Sequence, residues 1–146
     1  MKILAGALAA NLISFRLINL SRSMELEDLL ALYGTRFAEA VQLLETFLES
    51  GEPVHLRNAS VILTSVGRET YGALTEHRHA ILAALSLEAG ARLRERAVEI
   101  EKRGLRGTDL EYVADVCELL KRISNSISSG EYEKSYREMI NRRRGA

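Results

Sequence analysis

A heptad-like seam in residues 24–50 constrains the fold of this chain more than any other feature. Its apolar residues recur at spacings of 4, 3, 4, 3, 4 and 3, and they are Leu26, Leu30, Tyr33, Phe37, Ala40, Leu44 and Phe47. This spacing places them along one side of an α-helix, and such a stripe packs against a neighbouring helix as in a left-handed coiled coil. We predict that all of them except Ala40 form an interaction seam toward a protein partner or a second copy.

The residues around the seam set the limits of its helix. Ser23 is a suitable N-cap, and the acidic residues that follow it favour the positive end of a helix dipole. Gly51 supplies a left-handed stop, and Pro53 suits the first turn of a following helix. The sequence therefore predicts a helix from near Met24 to near Ser50.

Residues 54–103 carry two further apolar stripes, which are separated by Gly67 and Gly72. A glycine destabilises a helix interior by about 1 kcal/mol relative to alanine, so both glycines weaken this stretch. Thr75 offers a new N-cap. We expect a break near residues 72–75. An unbroken helix, which makes the protein elongated and oligomeric, is the alternative.

A further helix is predicted after the glycine-containing loop that begins at residue 104. Thr108 and Glu111 match the capping-box pattern, which predicts that this helix begins at Asp109. Its apolar seam includes Cys117, where a thiol behaves as a small hydrophobic group. A serine-rich stretch follows, so the helix is expected to end near residue 128.

The composition favours an all-α fold. The chain has one proline and no tryptophan, with 47% hydrophobic and 27% charged residues, which is typical of a globular protein that can bury a core. A last short helix is expected from Glu131 to about Arg142. We predict an antiparallel bundle of about five to six helices with coiled-coil-like seams. One domain is expected over 1–146, with 24–128 as the core bundle and 129–146 as a short helix and basic tail.

The N-terminal segment is apolar but does not resemble a membrane span. Asn11 and Arg16 interrupt the apolar run at residues 3–20, whereas a transmembrane helix needs about 20 apolar residues with few charges. The preferred interpretation of residues 1–23 is a helix that packs on the bundle or self-associates. A secretory signal, or a transit peptide with Met24 as an alternative start, are the other interpretations.

The sequence contains no pattern that predicts an enzyme or a bound cofactor. Glu76 and His79 have the Glu-x-x-His spacing of di-iron bundles, but the second such pair that these sites need is missing. Cys117 lies on an apolar seam, where burial raises the pKa of a thiol and leaves it unreactive. Catalytic and phosphate-binding motifs are absent from the sequence. We therefore predict a non-enzymatic protein with no metal and no cofactor.

Charge and cysteine content bear on partners and location. The net charge is zero overall, but residues 1–24 carry +3 and residues 25–52 carry −6. Several seams in one small chain provide more apolar surface than a compact monomer buries. The favoured hypothesis is a self-associating protein–protein interaction module, such as an adaptor, assembly factor or small regulator. The single cysteine permits no internal disulfide, which favours a cytoplasmic location.

Nucleic-acid binding is the alternative hypothesis. It depends on the basic segment 92–106 and on the C-terminal arginines, because Arg and Lys make most phosphate contacts. Five Glu and Arg pairs at i, i+4 are expected to neutralise much of the positive charge in the helices. The residues assigned to phosphate contacts are Arg94, Lys102, Arg106, Arg142, Arg143 and Arg144.

Overall fold

A computed structural model describes residues 26–71 and 77–145, and over those residues the chain forms five α-helices and no strand. The helices are α1 (Leu26–Ser50), α2 (Val54–Tyr71), α3 (His77–Arg103), α4 (Gly107–Ser128) and α5 (Glu131–Gly145). The predicted all-α bundle is confirmed. The predicted helix at residues 1–23 lies outside the described residues, as do Glu76 and the side chain of His79.

Three glycines end helices in the left-handed conformation. Their φ angles are 74° at Gly51, 88° at Gly104 and 81° at Gly130. Glycine adopts this conformation without the steric penalty that a Cβ brings, so each position stops its helix and turns the chain. The predicted helix ends near Ser50 and residue 128 are confirmed.

The most extensive contact between two helices joins α2 and α3. The Ser60 hydroxyl donates to the Gly90 carbonyl at 2.6 Å, and the Ser86 hydroxyl donates to the Leu63 carbonyl at 2.6 Å. From Ser60 to Leu63 the residue number on α2 increases, whereas the residue number of the hydrogen-bonded partner on α3 decreases from 90 to 86. The two helices are therefore antiparallel. Residues 54–103 therefore form two helices, as predicted, and not one rod.

Two glycines, which have no side chain, allow this close contact. Gly67, expected above to weaken the helix, lies buried inside α2 and is a packing residue. A Cβ there would lie 2.8 Å from Cγ of Leu87. At Gly90 a Cβ would lie 2.5 Å from the Thr64 hydroxyl oxygen and 3.2 Å from the Ser60 carbonyl oxygen. The backbones of α2 and α3 approach each other because these two positions have no side chain.

Helix α1 packs between α2 and α4 and supplies the largest side chains of the core. Five residues of the predicted interaction seam are buried there, namely Leu30, Tyr33, Phe37, Leu44 and Phe47. The side chain of Leu26 lies outside the described residues. This corrects the prediction of an interaction seam, because α2 and α4 of the same chain already cover these side chains. A surface for a partner must lie elsewhere.

A buried hydrogen-bonded chain links α1 to α2. The Thr70 hydroxyl donates to the Val66 carbonyl at 2.7 Å, so its oxygen accepts the hydrogen bond from the Tyr33 hydroxyl. Burial raises the pKa of Tyr33, which therefore stays neutral and keeps its donor. The polar tip of this core tyrosine is thus satisfied within the bundle.

Helix α4 begins at Gly107, two residues earlier than predicted. The Asp109 carboxylate accepts a hydrogen bond from the Arg106 amide at 2.9 Å, so Asp109 satisfies the amide at the start of this helix. Thr108 and Glu111 are both exposed. The predicted capping box of Thr108 and Glu111 is wrong, because the carboxylate one residue after Thr108 performs this role.

Asp109 is completely buried, and arginines from α3 surround it. Arg103 donates to both carboxylate oxygens, at 3.0 Å and 2.8 Å. Arg96 donates to the same carboxylate at 3.1 Å, and its guanidinium lies 4.3 Å from the centre of the Tyr112 ring. The Arg103 hydrogen bonds, with those of the Arg106 amide and Arg96, hold the pKa of Asp109 well below its usual range. Charge therefore fixes the turn between α3 and α4.

Candidate interaction surfaces

An open groove of about 780 Å³ lies between α1 and the C-terminal part of α4, with the start of α5 at its edge. We define this α1–α4 groove by Glu27, Ala31, Thr35, Ala38, Ile127 and Glu133. The Ser124 hydroxyl donates to the Gly34 carbonyl at 3.2 Å and connects the two helices. Ala31, Thr35 and Ala38 follow the i, i+4, i+7 spacing of one helix face, so small side chains line the α1 side of the groove.

The acidic residues of this groove are partly neutralised. Arg36 lies 3.0 Å from the carboxylate of Glu39, and Arg137 lies 3.4 Å from that of Glu133. Glu27 has no ion pair with the residues that the structure describes. Exposed ion pairs contribute little energy, so the groove offers a ligand mainly a surface to pack against.

A second surface lies on the outer side of α2 and α3. Its pocket of about 530 Å³ is lined by residues of both helices. We define this arginine face by Val61, Ser65 and Arg68 of α2 and by Leu87, Ala91 and Arg94 of α3. Both arginines are exposed, and neither forms an ion pair within the described parts of the chain. Val61 is 62% exposed between them, so this surface combines cations with uncovered apolar area.

A third surface lies along the outer side of α4. We define this acidic α4 face by Glu111, Ala114, Asp115, Glu118 and Leu119, all of which are exposed. Its three carboxylates have no ion-pair partner in residues 26–71 and 77–145. Leu119 is 43% exposed beside them. The predicted pair of Glu118 with Arg122 is therefore absent, although Arg122 follows on the same helix face.

The basic residues assigned to nucleic acid fall into two groups. One group is exposed on α3 and in the turn after it, and consists of Arg94, Lys102 and Arg106. The other is exposed on α5 and consists of Arg142 and Arg143, while the side chain of Arg144 lies outside the described residues. The 22 residues of α4 lie between the two groups in the sequence.

Ion pairs neutralise part of the basic segment, as predicted. Three of the expected pairs form, namely Glu88 with Arg92 at 2.6 Å, Glu99 with Arg103 at 3.4 Å and Glu133 with Arg137 at 3.4 Å. Arg96 and Arg103 also bind the buried Asp109. The cations that remain exposed are therefore few and dispersed.

The structure gives no support for a reactive or metal-binding centre in the parts of the chain that it describes. Cys117 is 4% exposed, and burial raises the pKa of its thiol. Those parts hold no group of three or more metal-ligating side chains, and none of their helices is long and apolar enough to cross a membrane.

Comparison with known proteins gives no match to a family model, to a curated protein or to a solved structure. The surfaces must therefore be interpreted from their own chemistry. The arginine face was not predicted, although its signal is present in the sequence. An apolar residue, a small residue and an arginine recur at i, i+4, i+7 in Val61, Ser65 and Arg68, and again in Leu87, Ala91 and Arg94.

Proposed function

We propose that the protein is a non-enzymatic protein–protein interaction module, acting as an adaptor, assembly factor or small regulator, which also associates with itself. The α1–α4 groove is the observation that carries this proposal. The single, buried cysteine cannot form an internal disulfide, which supports a reducing compartment, and we place the protein in the cytoplasm.

The groove has the form that an α-helix of a partner needs. Ala31, Thr35 and Ala38 have small side chains, so the backbone of a docked helix can approach α1 closely. Ile127 supplies apolar contact in the same groove. The favoured partner segment is an amphipathic helix that places small or apolar residues in the groove and basic residues near Glu27.

Blocking the groove tests this function. In Ala38→Arg a long charged side chain fills the middle of the groove, and we expect loss of the bound partner. Thr46→Arg is the matched control, because Thr46 is exposed on the same helix but does not line the groove. Affinity capture from the native host followed by mass spectrometry is the measurement. If wild type and Ala38→Arg capture the same proteins in equal amounts, the groove is not the binding site.

Electrostatic nucleic-acid binding is the second candidate. It is supported by Arg94, Lys102 and Arg106, which are exposed and have no ion pair among the described residues. Affinity should fall steeply with rising salt, because phosphate contacts release counterions. Replacing the three C-terminal arginines by alanine should weaken binding to all sequences alike and flatten the salt slope by up to about three phosphate equivalents. Fluorescence anisotropy that detects no binding at low salt excludes this candidate.

A further inference from the structure

We propose that the arginine face of one copy binds the acidic α4 face of a second copy. The proposal rests on the self-association included in the proposed function, and it names the two surfaces that meet. They are different from the α1–α4 groove, which is left for another protein.

Unpaired charge of opposite sign is the first argument. Several charged groups of the described residues are paired within the chain, as the Asp109 cluster and the pair of Arg57 with Glu101 illustrate. Arg68 and Arg94 have no such partner in the described parts of the chain, and the same holds for the carboxylates of the acidic α4 face. Each surface therefore carries the charge that the other lacks, which steers association and fixes its register.

Exposed apolar side chains are the second argument. Val61 is 62% exposed within the arginine face, and Leu119 is 43% exposed within the acidic α4 face. Contact between the two surfaces removes both side chains from water, which is favourable in proportion to the apolar area covered. The phosphate backbone of a nucleic acid offers no apolar surface that could pack on Val61, so a protein surface is the better partner for this face.

The spacing of the charges is the third argument. Because α2 and α3 are antiparallel, their equivalent stripes place Arg68 and Arg94 toward opposite ends of the pocket that both residues line. Glu111 and Glu118 lie seven residues apart on one face of α4, a separation of about 10 Å along the helix. The register of α2 and α3 separates Arg68 and Arg94 by about 18 Å along the helix axes, so each long arginine side chain must extend inward along the pocket to reach the carboxylate at its end of the stripe. Ala114 is small enough for close approach.

The two surfaces differ, so the contact is heterologous. One copy binds through the arginine face on α2 and α3, and its acidic α4 face remains available to a third copy. Repetition of such a contact closes into a ring or continues as an open chain. We therefore expect association that increases with concentration and weakens as salt screens the charges.

Complementary charge reversal tests this contact in the full-length chain. One variant reverses the arginine face by Arg68→Glu with Arg94→Glu, and the other reverses the acidic α4 face by Asp115→Arg with Glu118→Arg. Sedimentation velocity should show wild type above the 16.3 kDa monomer mass, and each variant alone at that mass. An equimolar mixture of the two variants should associate again, because each reversed surface now complements one on the other variant.

The outcomes separate the interface from self-association itself. If wild type is a monomer at high concentration, both self-association and the proposed interface are wrong. If wild type is oligomeric and either reversed variant is oligomeric as well, self-association stands but this interface is wrong. If the mixture of the two variants stays monomeric, the pairing of the two faces is wrong. Lys102→Glu with Arg142→Glu applies the same charge change outside the arginine face, and it should leave association intact. Circular dichroism checks folding, and Arg68→Gln with Arg94→Gln replaces any reversed variant that fails to fold.

Discussion

Helix α3 packs against its two neighbours by different physical means. Toward α2 it presents Gly90 and Ser86, and the buried part of the contact combines close backbone approach with neutral hydroxyl hydrogen bonds, while the ion pair of Arg57 with Glu101 is partly exposed. Toward α4 it presents Arg96 and Arg103, which surround the buried carboxylate of Asp109. One contact depends on space and the other on charge, so different perturbations should break them.

The two contacts also differ in what their stability depends on. The α2–α3 contact uses positions without side chains, so its stability depends on fit and is insensitive to pH near neutrality. The α3–α4 turn buries a carboxylate, which is costly unless cations and donors compensate it. Asp109 obtains that compensation from two guanidinium groups and the Arg106 amide.

The largest effect is expected from Asp109→Asn. Removing one member of a buried ion cluster typically costs about 3–5 kcal/mol of unfolding free energy. The side chains of Arg96 and Arg103 are 26% and 23% exposed, so water can compensate them in part. We therefore expect a loss of about 2–4 kcal/mol in urea unfolding at pH 7. Glu101→Gln is the control, because its exposed pair with Arg57 should contribute little to stability. Equal losses in the two variants contradict the role assigned to the cluster.

Acid should remove this contribution. The folded-state pKa of Asp109 is lowered, whereas an unfolded aspartate titrates near about 3.9. The stabilisation is therefore fully present above the unfolded value and is lost as pH falls from about 4 toward the folded value. The difference in unfolding free energy between wild type and Asp109→Asn, measured in urea at a series of pH values, should decrease over that range. A difference that stays constant down to about pH 2 argues against an ionised Asp109 in the fold.

The α2–α3 contact should respond to added volume, as in Gly90→Ala. The new Cβ would meet the Thr64 hydroxyl oxygen at 2.5 Å and the Ser60 backbone at 3.2 Å, so the helices must separate. Overpacking of this kind costs about 1–3 kcal/mol. Gly34→Ala is the matched control, because a Cβ there meets only Ile127 at 3.5 Å, and alanine favours a helix by up to about 1 kcal/mol. Urea unfolding in which Gly90→Ala is as stable as Gly34→Ala shows that the contact is looser than described.

Periodicity predicted the helices well but not what covers them. The spacing from Leu30 to Phe47 is a local property, so the sequence indicates that one face of α1 is buried. Whether a neighbouring helix or a second copy buries it depends on the tertiary fold, and the interaction seam was for this reason assigned wrongly. Helix ends depend on local glycines such as Gly51, and the ends beside such glycines were predicted within two residues, whereas the last helix runs to Gly145, three residues beyond its predicted end.

Residues with distant partners were not predicted. Gly67 weakens a helix in isolation, and its packing role appears only when α3 lies against it. Asp109 was predicted as the first residue of a helix, whereas its value to the fold comes from Arg103 and Arg96, which lie 6 and 13 residues earlier. The arginine face was missed for a similar reason, because Arg68 and Arg94 lie on different helices and only the antiparallel pairing of α2 and α3 brings them to one pocket.

The smallest effect is expected from Ser86→Ala, which separates space from hydrogen bonding within the α2–α3 contact. The Ser86 hydroxyl is buried and donates to the Leu63 carbonyl at 2.6 Å. Loss of one neutral hydrogen bond costs about 0.5–1.5 kcal/mol. The Leu63 carbonyl can keep a backbone partner within α2, and alanine has a higher helix propensity than serine by about 0.5 kcal/mol. The net loss in urea unfolding should therefore stay below about 1 kcal/mol and should not vary between pH 4 and pH 7, where neither partner titrates. If Ser86→Ala costs more than Gly90→Ala, the hydroxyl bonds and not the close backbone approach hold α2 against α3.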